Sequence, residues 1–149
     1  MPLSMQDVVR RIAAITDQEF AFTRGQFRTW VSSNLIPATE IRGEGLSTRR
    51  SYDNEAIFIG AALVRVSQMG IQGPELREKV ESLRDAWAIL TANPASGEAV
   101  YYIGAVGKSP GLVSSTFVSE PSADKVLRDF EGGAAFVIHV SGLFALASG

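Results

Sequence analysis

The segment from Asn54 to Met69 constrains the fold of this 149-residue chain more than any other. It follows a capping residue, Asp53, carries apolar side chains on nearly every side of a helix, and meets a natural stop at Gly70. Because such a helix is buried on more than one face, we expect other elements to pack around it. Its longest apolar stretch, Ala56 to Val64, is far shorter than the ~20 residues that span a bilayer, so we expect no membrane partner.

Two shorter helices are predicted ahead of this segment, each from a capping box. The run that starts at Ser4 opens the first helix, which should end near Asp17. Thr23 and Gln26 open the second, and Pro37 ends it because the residue before a proline is pushed towards extended geometry. The apolar positions of the second helix are Phe27, Trp30, Val31 and Leu35. The short connection between the two helices makes the pair a helix-turn-helix candidate.

A β-hairpin is predicted over residues 37–52, with Gly43-Glu44-Gly45 at its tip and arginines on its arms. A fourth helix begins at Pro74, a residue type favoured at the first helical position. It carries a short heptad seam with spacings of 4, 3, 4 and 3, made of Leu76, Val80, Leu83, Trp87 and Leu90. The seam predicts self-association, with packing on its own domain as the alternative.

The tail changes its hydrophobic period from 3.6 towards 2 after a linker at residues 93–97. The predicted elements are strands at Ala99–Val106 and Leu112–Val118, a helix at Pro121–Phe130 and a strand at Ala134–Ala147 that folds into two at Gly142 in an alternative interpretation. The fold class is therefore α+β. We expect three segments: a domain at 1–72 made of the helix-turn-helix candidate, the hairpin and the apolar helix, a connecting or dimerisation helix at 73–92, and a β-β-α-β module at 97–149.

Composition narrows the chemistry that the chain can perform. The absence of cysteine excludes disulfides, thiolate metal sites and cysteine nucleophiles, and a single histidine excludes a His-cluster metal site. That residue, His139, lies in an alternating apolar run and is predicted to be a hydrogen-bonded core residue. Gly104 to Gly111 is rich in glycine but lacks the Walker lysine pairing, and no Ser-His-Asp arrangement stands out. We therefore expect no enzyme, no metal and no cofactor.

Charge is unevenly distributed along the chain. The net charge of −2 by itself is unpromising for a nucleic-acid binder. Residues 1–84, however, carry 11 basic and 10 acidic groups, whereas residues 85–149 carry 3 and 6, and ten of the eleven arginines precede residue 85. Arginine matches phosphate and guanine edges bidentately, which lysine does not. Double-stranded DNA is therefore predicted as a partner from arginine placement rather than from bulk charge.

The second helix and the hairpin bring these arginines together with other polar side chains. Arg24 and Arg28 are four residues apart, so they project from one helical face, where a phosphate-lined groove would remove their mutual repulsion. The predicted DNA-contacting residues are Thr23, Arg24, Gln26, Arg28, Thr29 and Ser32 of the helix, and Arg42, Arg49, Arg50 and Tyr52 of the hairpin. Thr23 would point helix N-terminal amides at a phosphate. Trp30 is expected to be core, and for Tyr52 core packing and phosphate contact remain equal alternatives.

The order of these motifs resembles the MerR family of winged-helix transcription regulators. The matching residues, all within about the first 90, are Arg28-Thr29-Trp30, Leu35-Ile36-Pro37, Arg42, Arg50-Ser51-Tyr52, Leu63 and Met69-Gly70-Ile71. The chain departs from the family in the predicted connection between its first two helices, Thr16 to Phe22, which is longer and lacks the glycine of the family's tight turn.

The resemblance implies a regulator that binds a palindromic site in double-stranded DNA as a homodimer through a winged helix-turn-helix. The absence of cysteine and of a visible targeting segment makes the cytoplasm the expected compartment. The β-rich tail would then be a dimerisation module or a sensor for a small-molecule or protein effector. An excisionase-like recombination accessory factor is a close alternative. A protein-interaction module whose arginines pair with acidic surfaces is another, and a small-molecule-binding protein or enzyme centred on the tail and His139 is a third.

Overall fold

The structure, a computed structural model, describes residues 2–43, 49–71, 74–92, 100–106, 112–119 and 135–149. These residues form, in chain order, α1 (Met5–Thr16), α2 (Phe20–Ser32), β1 (Glu40–Arg42), β2 (Arg49–Ser51), α3 (Asn54–Gln68), α4 (Pro74–Ala92), β3 (Val100–Val106), β4 (Leu112–Ser119), β5 (Ala135–His139) and α5 (Val140–Ser148). The α+β class is confirmed. The predicted helix at 121–130, the linker at 93–97, the glycine-rich run at 107–111 and hairpin-tip residues 44 and 45 lie outside the described residues.

Helix α1 begins and ends where the sequence predicts. The Asp7 amide donates to the Ser4 hydroxyl at 3.2 Å, and the Ser4 backbone amide donates to the Asp7 carboxylate at 3.4 Å, which completes the capping box. The helix stops at Asp17, which adopts the left-handed region with φ of 51°. Aspartate tolerates this conformation better than most residues, so the chain turns sharply without a glycine.

Helix α2 begins four residues earlier than predicted, with Glu19 rather than Thr23 as its N-cap, so the capping-box interpretation of Thr23 is wrong. Thr23 is buried within the helix, where its hydroxyl donates to the Glu19 carbonyl at 2.9 Å. Sequence alone does not separate a capping threonine from one that bonds a carbonyl one turn earlier. The connection between α1 and α2 is therefore Asp17 to Glu19, three residues rather than the longer one expected.

The predicted hairpin is present as a short antiparallel pair, with Ile41 opposite Arg50 in its register. The N-terminal segment extends this pair, because Leu3 and Tyr52 exchange two backbone hydrogen bonds of 2.8 and 2.9 Å. The chain enters the hairpin from buried Leu35 and Ile36, so the hairpin is fastened to the helical core at its base.

Helix α3 is the centre of the core, as its composition predicts. Asp53 caps it by accepting a hydrogen bond from the Glu55 amide at 3.0 Å, and every residue from 56 to 64 is buried. Gly60 lies where α1 crosses closest: a Cβ there would overlap the end of the Ile12 side chain and lie 3.9 Å from Phe27. A side chain at this position would therefore force the buried Ile12 side chain to move, while Phe27 of α2 would be in ordinary van der Waals contact with it.

Helix α4 turns its heptad seam towards its own chain. Leu76, Val80, Leu83 and Leu90 are buried within the chain. Trp87 is half-buried between Phe58 of α3 and Phe144 of α5, with ring centroids 5.3 and 5.0 Å away. The predicted dimerisation surface is thus not exposed. These side chains pack within their own chain, which was the alternative prediction.

The tail forms a three-stranded antiparallel sheet with strand order β4-β3-β5. Both predicted strands at its start are confirmed, but the strand prediction for 134–147 is right only as far as His139. Residues 140–148 form helix α5, so the alternative of a second strand after Gly142 is wrong. Nearly every residue there is apolar, so the spacing of apolar residues does not distinguish a strand from a helix. The helical period becomes visible only in the buried set, Val140, Leu143 and Ala147.

Helix α5 joins the tail to the first segment of the chain. The Arg11 guanidinium of α1 donates to the Ala147 carbonyl at 2.9 Å and to the Asn54 side chain at 3.2 Å, so one arginine links the end of α5 to the start of α3. One hydrophobic cluster includes residues of all three predicted segments, among them Leu63, Leu83 and Leu143. In the described parts of the chain, no helix is long and apolar enough to cross a membrane.

Candidate nucleic-acid interface

Helix α2 has one buried face and one exposed face. Phe27, Trp30 and Val31 are buried against the core, and Trp30 at 5 % exposure confirms its predicted role. The opposite face carries the exposed residues Ala21, Phe22, Arg24, Gly25, Arg28, Thr29 and Ser32. The 3.6-residue period of the helix produces this separation, because apolar positions three and four apart share one side.

The two arginines of the exposed face have no counter-ion among the described residues. Arg24 and Arg28 form no ion pair with a carboxylate of the described residues. In contrast, Arg10 faces Asp7 at 3.7 Å and Arg84 faces Glu55 at 3.4 Å. Two like charges one helical turn apart and without a carboxylate destabilise an isolated helix slightly. This arrangement is suited to a multiply charged anion.

Thr23 and Gln26 hold the turn rather than face outward. The Gln18 side-chain amide donates to the Thr23 hydroxyl at 2.9 Å and to the Gln26 carbonyl oxygen at 2.8 Å. Thr23 is fully buried and Gln26 partly so. The prediction that Thr23 contacts DNA is therefore corrected, because the residue stabilises the connection that sets the angle between α1 and α2.

Thr29 and Ser32 are exposed on the same side as the arginines. The Thr29 hydroxyl donates to the Gly25 carbonyl at 3.1 Å, and the Ser32 hydroxyl donates to the Arg28 carbonyl at 3.0 Å. These bonds use the single proton of each hydroxyl and leave its oxygen as an acceptor. Both side chains can therefore accept a hydrogen bond from a donor presented to this face.

The hairpin arginines lie on exposed strands. Arg42 and Arg49 are directly opposite each other in the register. The Glu40 carboxylate accepts from Arg42 Nε at 2.7 Å, and this hydrogen bond raises the pKa of Arg42 above its ordinary value. Arg42 is thus already paired, whereas Arg49 forms no ion pair with a described residue. The hairpin contribution to an anion site therefore rests more on Arg49 and Arg50 than on Arg42.

Tyr52 packs in the core, so the predicted phosphate contact is corrected in favour of its alternative. It is 2 % exposed, and its ring meets Phe27 of α2 edge to face with centroids 5.4 Å apart. Burial raises the pKa of the Tyr52 hydroxyl, while the neighbouring Arg50 guanidinium acts in the opposite direction. Tyr52 fixes the base of the hairpin against α2.

Sequence reasoning missed the aromatic residues at the start of α2. Phe22 is 59 % exposed and Phe20 is also exposed, and both belong to the turn of helix that the prediction left out. The signal was present, since aromatic residues in a polar connection are unusual. An exposed phenylalanine beside arginines can contact a thymine methyl group.

His139 is exposed at the junction of β5 and α5, so the prediction of a core histidine is wrong. Its place at the end of a strand, rather than within it, explains the difference. Within the described ranges, no three His, Cys, Asp or Glu residues are grouped closely enough to hold a metal ion.

No protein-family model matches the chain, and no curated protein is significantly similar to it.

Proposed function

We propose that the chain is a sequence-specific DNA-binding regulator in which α2 enters the major groove and the β1–β2 hairpin contacts flanking backbone. The observation that carries the proposal is the exposed face of α2. It presents Arg24 and Arg28 without a carboxylate partner among the described residues, while the opposite face is anchored in the core. A helix fixed on one side with outward-facing guanidinium groups on the other is suited to direct readout of base edges in the major groove.

The geometry of the turn supports a winged helix-turn-helix interpretation. The three-residue connection from Asp17 to Glu19 removes the departure from the MerR-family pattern that the sequence suggested, and Asp17 adopts the left-handed conformation that a glycine commonly takes. The hairpin follows α2 and is fixed to it by the contact between Tyr52 and Phe27. These features favour a wing held beside a recognition helix.

The roles within the proposed interface follow from exposure and pairing. Arg24 and Arg28 read base edges or neighbouring phosphates, and Thr29 and Ser32 add polar contacts. Arg49 and Arg50 contact flanking phosphates. Transcriptional regulation and binding of a palindromic site by two copies rest on the family resemblance. The second copy would use a surface other than the α4 seam, because that seam is occupied by its own chain.

Selection of bound sites from random DNA, followed by a salt titration, tests the proposal. We expect enrichment of a defined motif and an affinity that falls steeply as salt rises, because phosphate contacts release counter-ions. An inverted repeat in the motif would support two copies, whereas an unpaired motif would favour the excisionase-like alternative. The absence of any enriched motif, together with salt-insensitive binding, would overturn DNA recognition.

Matched arginine variants then locate the interface. Arg28→Gln should weaken specific binding by about 1–3 kcal/mol if it contacts a base, and Arg50→Gln should reduce the salt slope by about 1 if it contacts a phosphate. Arg84→Gln is the control, since it removes the same charge from an exposed arginine on α4 that is paired with Glu55. Equal affinities for the Arg28 and Arg84 variants would show that α2 is not the recognition element.

A further inference from the structure

A second concave surface lies where the tail meets the helices, and nothing in the proposed DNA interface uses it. It is a pocket of about 270 Å³ between the ends of α1 and α3 on one side and β5 and α5 on the other. Its wall includes Arg65, Met69, Val137, His139, Leu143 and Leu146. Its volume lies just below the range of about 300–1,000 Å³ that is common for ligand pockets, and its apolar lining with a few polar groups suits a small ligand.

The apolar part of the wall is unusually exposed. Met69, Val137 and Leu146 are 41, 42 and 57 % exposed, although each is a large hydrophobic side chain. They come from three different elements and meet at one pocket. A cluster of exposed apolar side chains around a concavity is typical of a binding site rather than of ordinary surface.

The polar part of the wall consists of a guanidinium cation and an imidazole. Arg65 donates to the Gln68 side chain at 3.1 Å and, over longer distances, to the carbonyls of Ile15 and Thr16 at the end of α1. It forms no ion pair with a carboxylate of the described residues, so its charge has no full counter-ion there. The second polar group is the imidazole of His139. It lies so close to Gly142 that a Cβ at that position would be 2.8 Å from Nδ1, so glycine makes room for the ring.

We propose that this pocket binds a small carboxylic acid with an apolar body, with the carboxylate at Arg65 and His139 and the body along Val137, Met69 and Leu146. Arginine recognises carboxylates through its planar set of donors, and an imidazole N–H adds a further donor. The described lining contains no acidic side chain that would repel the ligand. The site does not depend on the DNA-binding proposal. If both hold, the pocket gives the chain a place to sense a metabolite of this class.

Titration of the full chain with hexanoate, followed by amide NMR shifts, tests the site. Hexan-1-ol and hexylammonium serve as probes of equal chain length and different charge. We expect saturable shifts at residues 137–143 with hexanoate and at least tenfold weaker binding of the other two compounds. No saturable shift with hexanoate would overturn the proposal. Equal binding of hexan-1-ol would overturn it as well, because the charge of Arg65 would then play no part.

Substitution at the pocket rim provides the second test. Leu146→Glu replaces part of the apolar wall along the ligand body with a charged, hydrated group and adds a negative charge to the pocket, so it should weaken hexanoate binding at least tenfold. Ile89→Glu is the matched control, since Ile89 is 58 % exposed on α4 and Leu146 is 57 % exposed on α5. Met69→Glu repeats the test from α3 in case the Leu146 variant does not fold, as judged by circular dichroism. Equal effects of the rim and control variants, or no effect of either rim variant, would contradict the assigned site.

Discussion

Helices α2 and α4 were both predicted to bind a partner, but most of the predicted binding residues are exposed in α2 and buried in α4. In α2 the apolar positions pack on the core and the polar and basic positions face outward. In α4 the residues predicted to bind are themselves the apolar ones, and they are buried against α3 and α5. A heptad seam specifies only that an apolar stripe needs cover, and a neighbouring helix of the same chain covers it as well as a second copy does. A charged stripe differs, because burying charged side chains costs free energy and folding leaves them exposed.

The strongest test of this comparison is the α4 seam. Leu83 is fully buried, so Leu83→Ala should lower the free energy of unfolding by about 2–5 kcal/mol. Urea unfolding at two protein concentrations measures this loss, and we expect the same midpoint at both because the contact is intramolecular. Ile89→Ala, on the exposed side of α4, should change stability by less than about 0.5 kcal/mol. A midpoint that rises with concentration only when Leu83 is present would restore the seam as a dimer contact.

The packing of α1 against Gly60 of α3 gives the next largest expected change in the free energy of unfolding. Gly60→Val should destabilise the fold by about 1–3 kcal/mol, because the added side chain overlaps Ile12 in a closely packed region. Ile12→Ala creates a cavity by itself, yet in combination with Gly60→Val it should cost less than the sum of the two single changes. Thermal unfolding of the four proteins measures the coupling. Simple additivity would mean that α1 and α3 are not in close contact at this point.

Thr23 distinguishes a structural residue of α2 from a binding one. Thr23→Val keeps the shape but removes the acceptor for Gln18 and the bond to Glu19, so it should lower stability by about 1 kcal/mol. Specific DNA affinity should stay within about twofold of wild type, in contrast to Arg28→Gln, because the residue is buried. Thr23→Ser retains the hydroxyl and should restore most of the stability. A large loss of affinity in the folded Val variant would return Thr23 to the interface.

The smallest effect concerns Tyr52 and is visible only at high pH. Burial raises its pKa in the folded chain above the value of about 10 that it has when unfolded. The unfolded chain therefore releases this proton first, and the associated stability is present below pH 10 and is lost as pH rises through the folded pKa. Tyr52→Phe should make unfolding less pH-dependent between about pH 9 and 11. Identical pH profiles of stability for wild type and Tyr52→Phe would show that the Tyr52 hydroxyl is solvent-exposed.

Much of the fold follows from short-range signals in the sequence. The start of α1 is set by the Ser4–Asp7 capping box, the start of α3 by Asp53, and the burial of α3 by an apolar run that leaves no polar side. The polar and apolar sides of α2 were also predictable from its period. These features depend on residues within about one helical turn of each other, which is why local reasoning identifies them.

The remaining features depended on residues far apart in the chain. The sequence by itself determined most of the elements, with α5 as the exception, and which side of α2 faces outward. Only the tertiary structure decided that the α4 seam packs within its own chain, that Tyr52 lies beneath the hairpin, and that residues 140–148 are helical. The last case shows the physical reason: an apolar stretch fits either a strand or a helix. Arg11, 136 residues away from Ala147, and the surface of α3 stabilise the helix. Apolar side chains specify burial but not the partner that buries them.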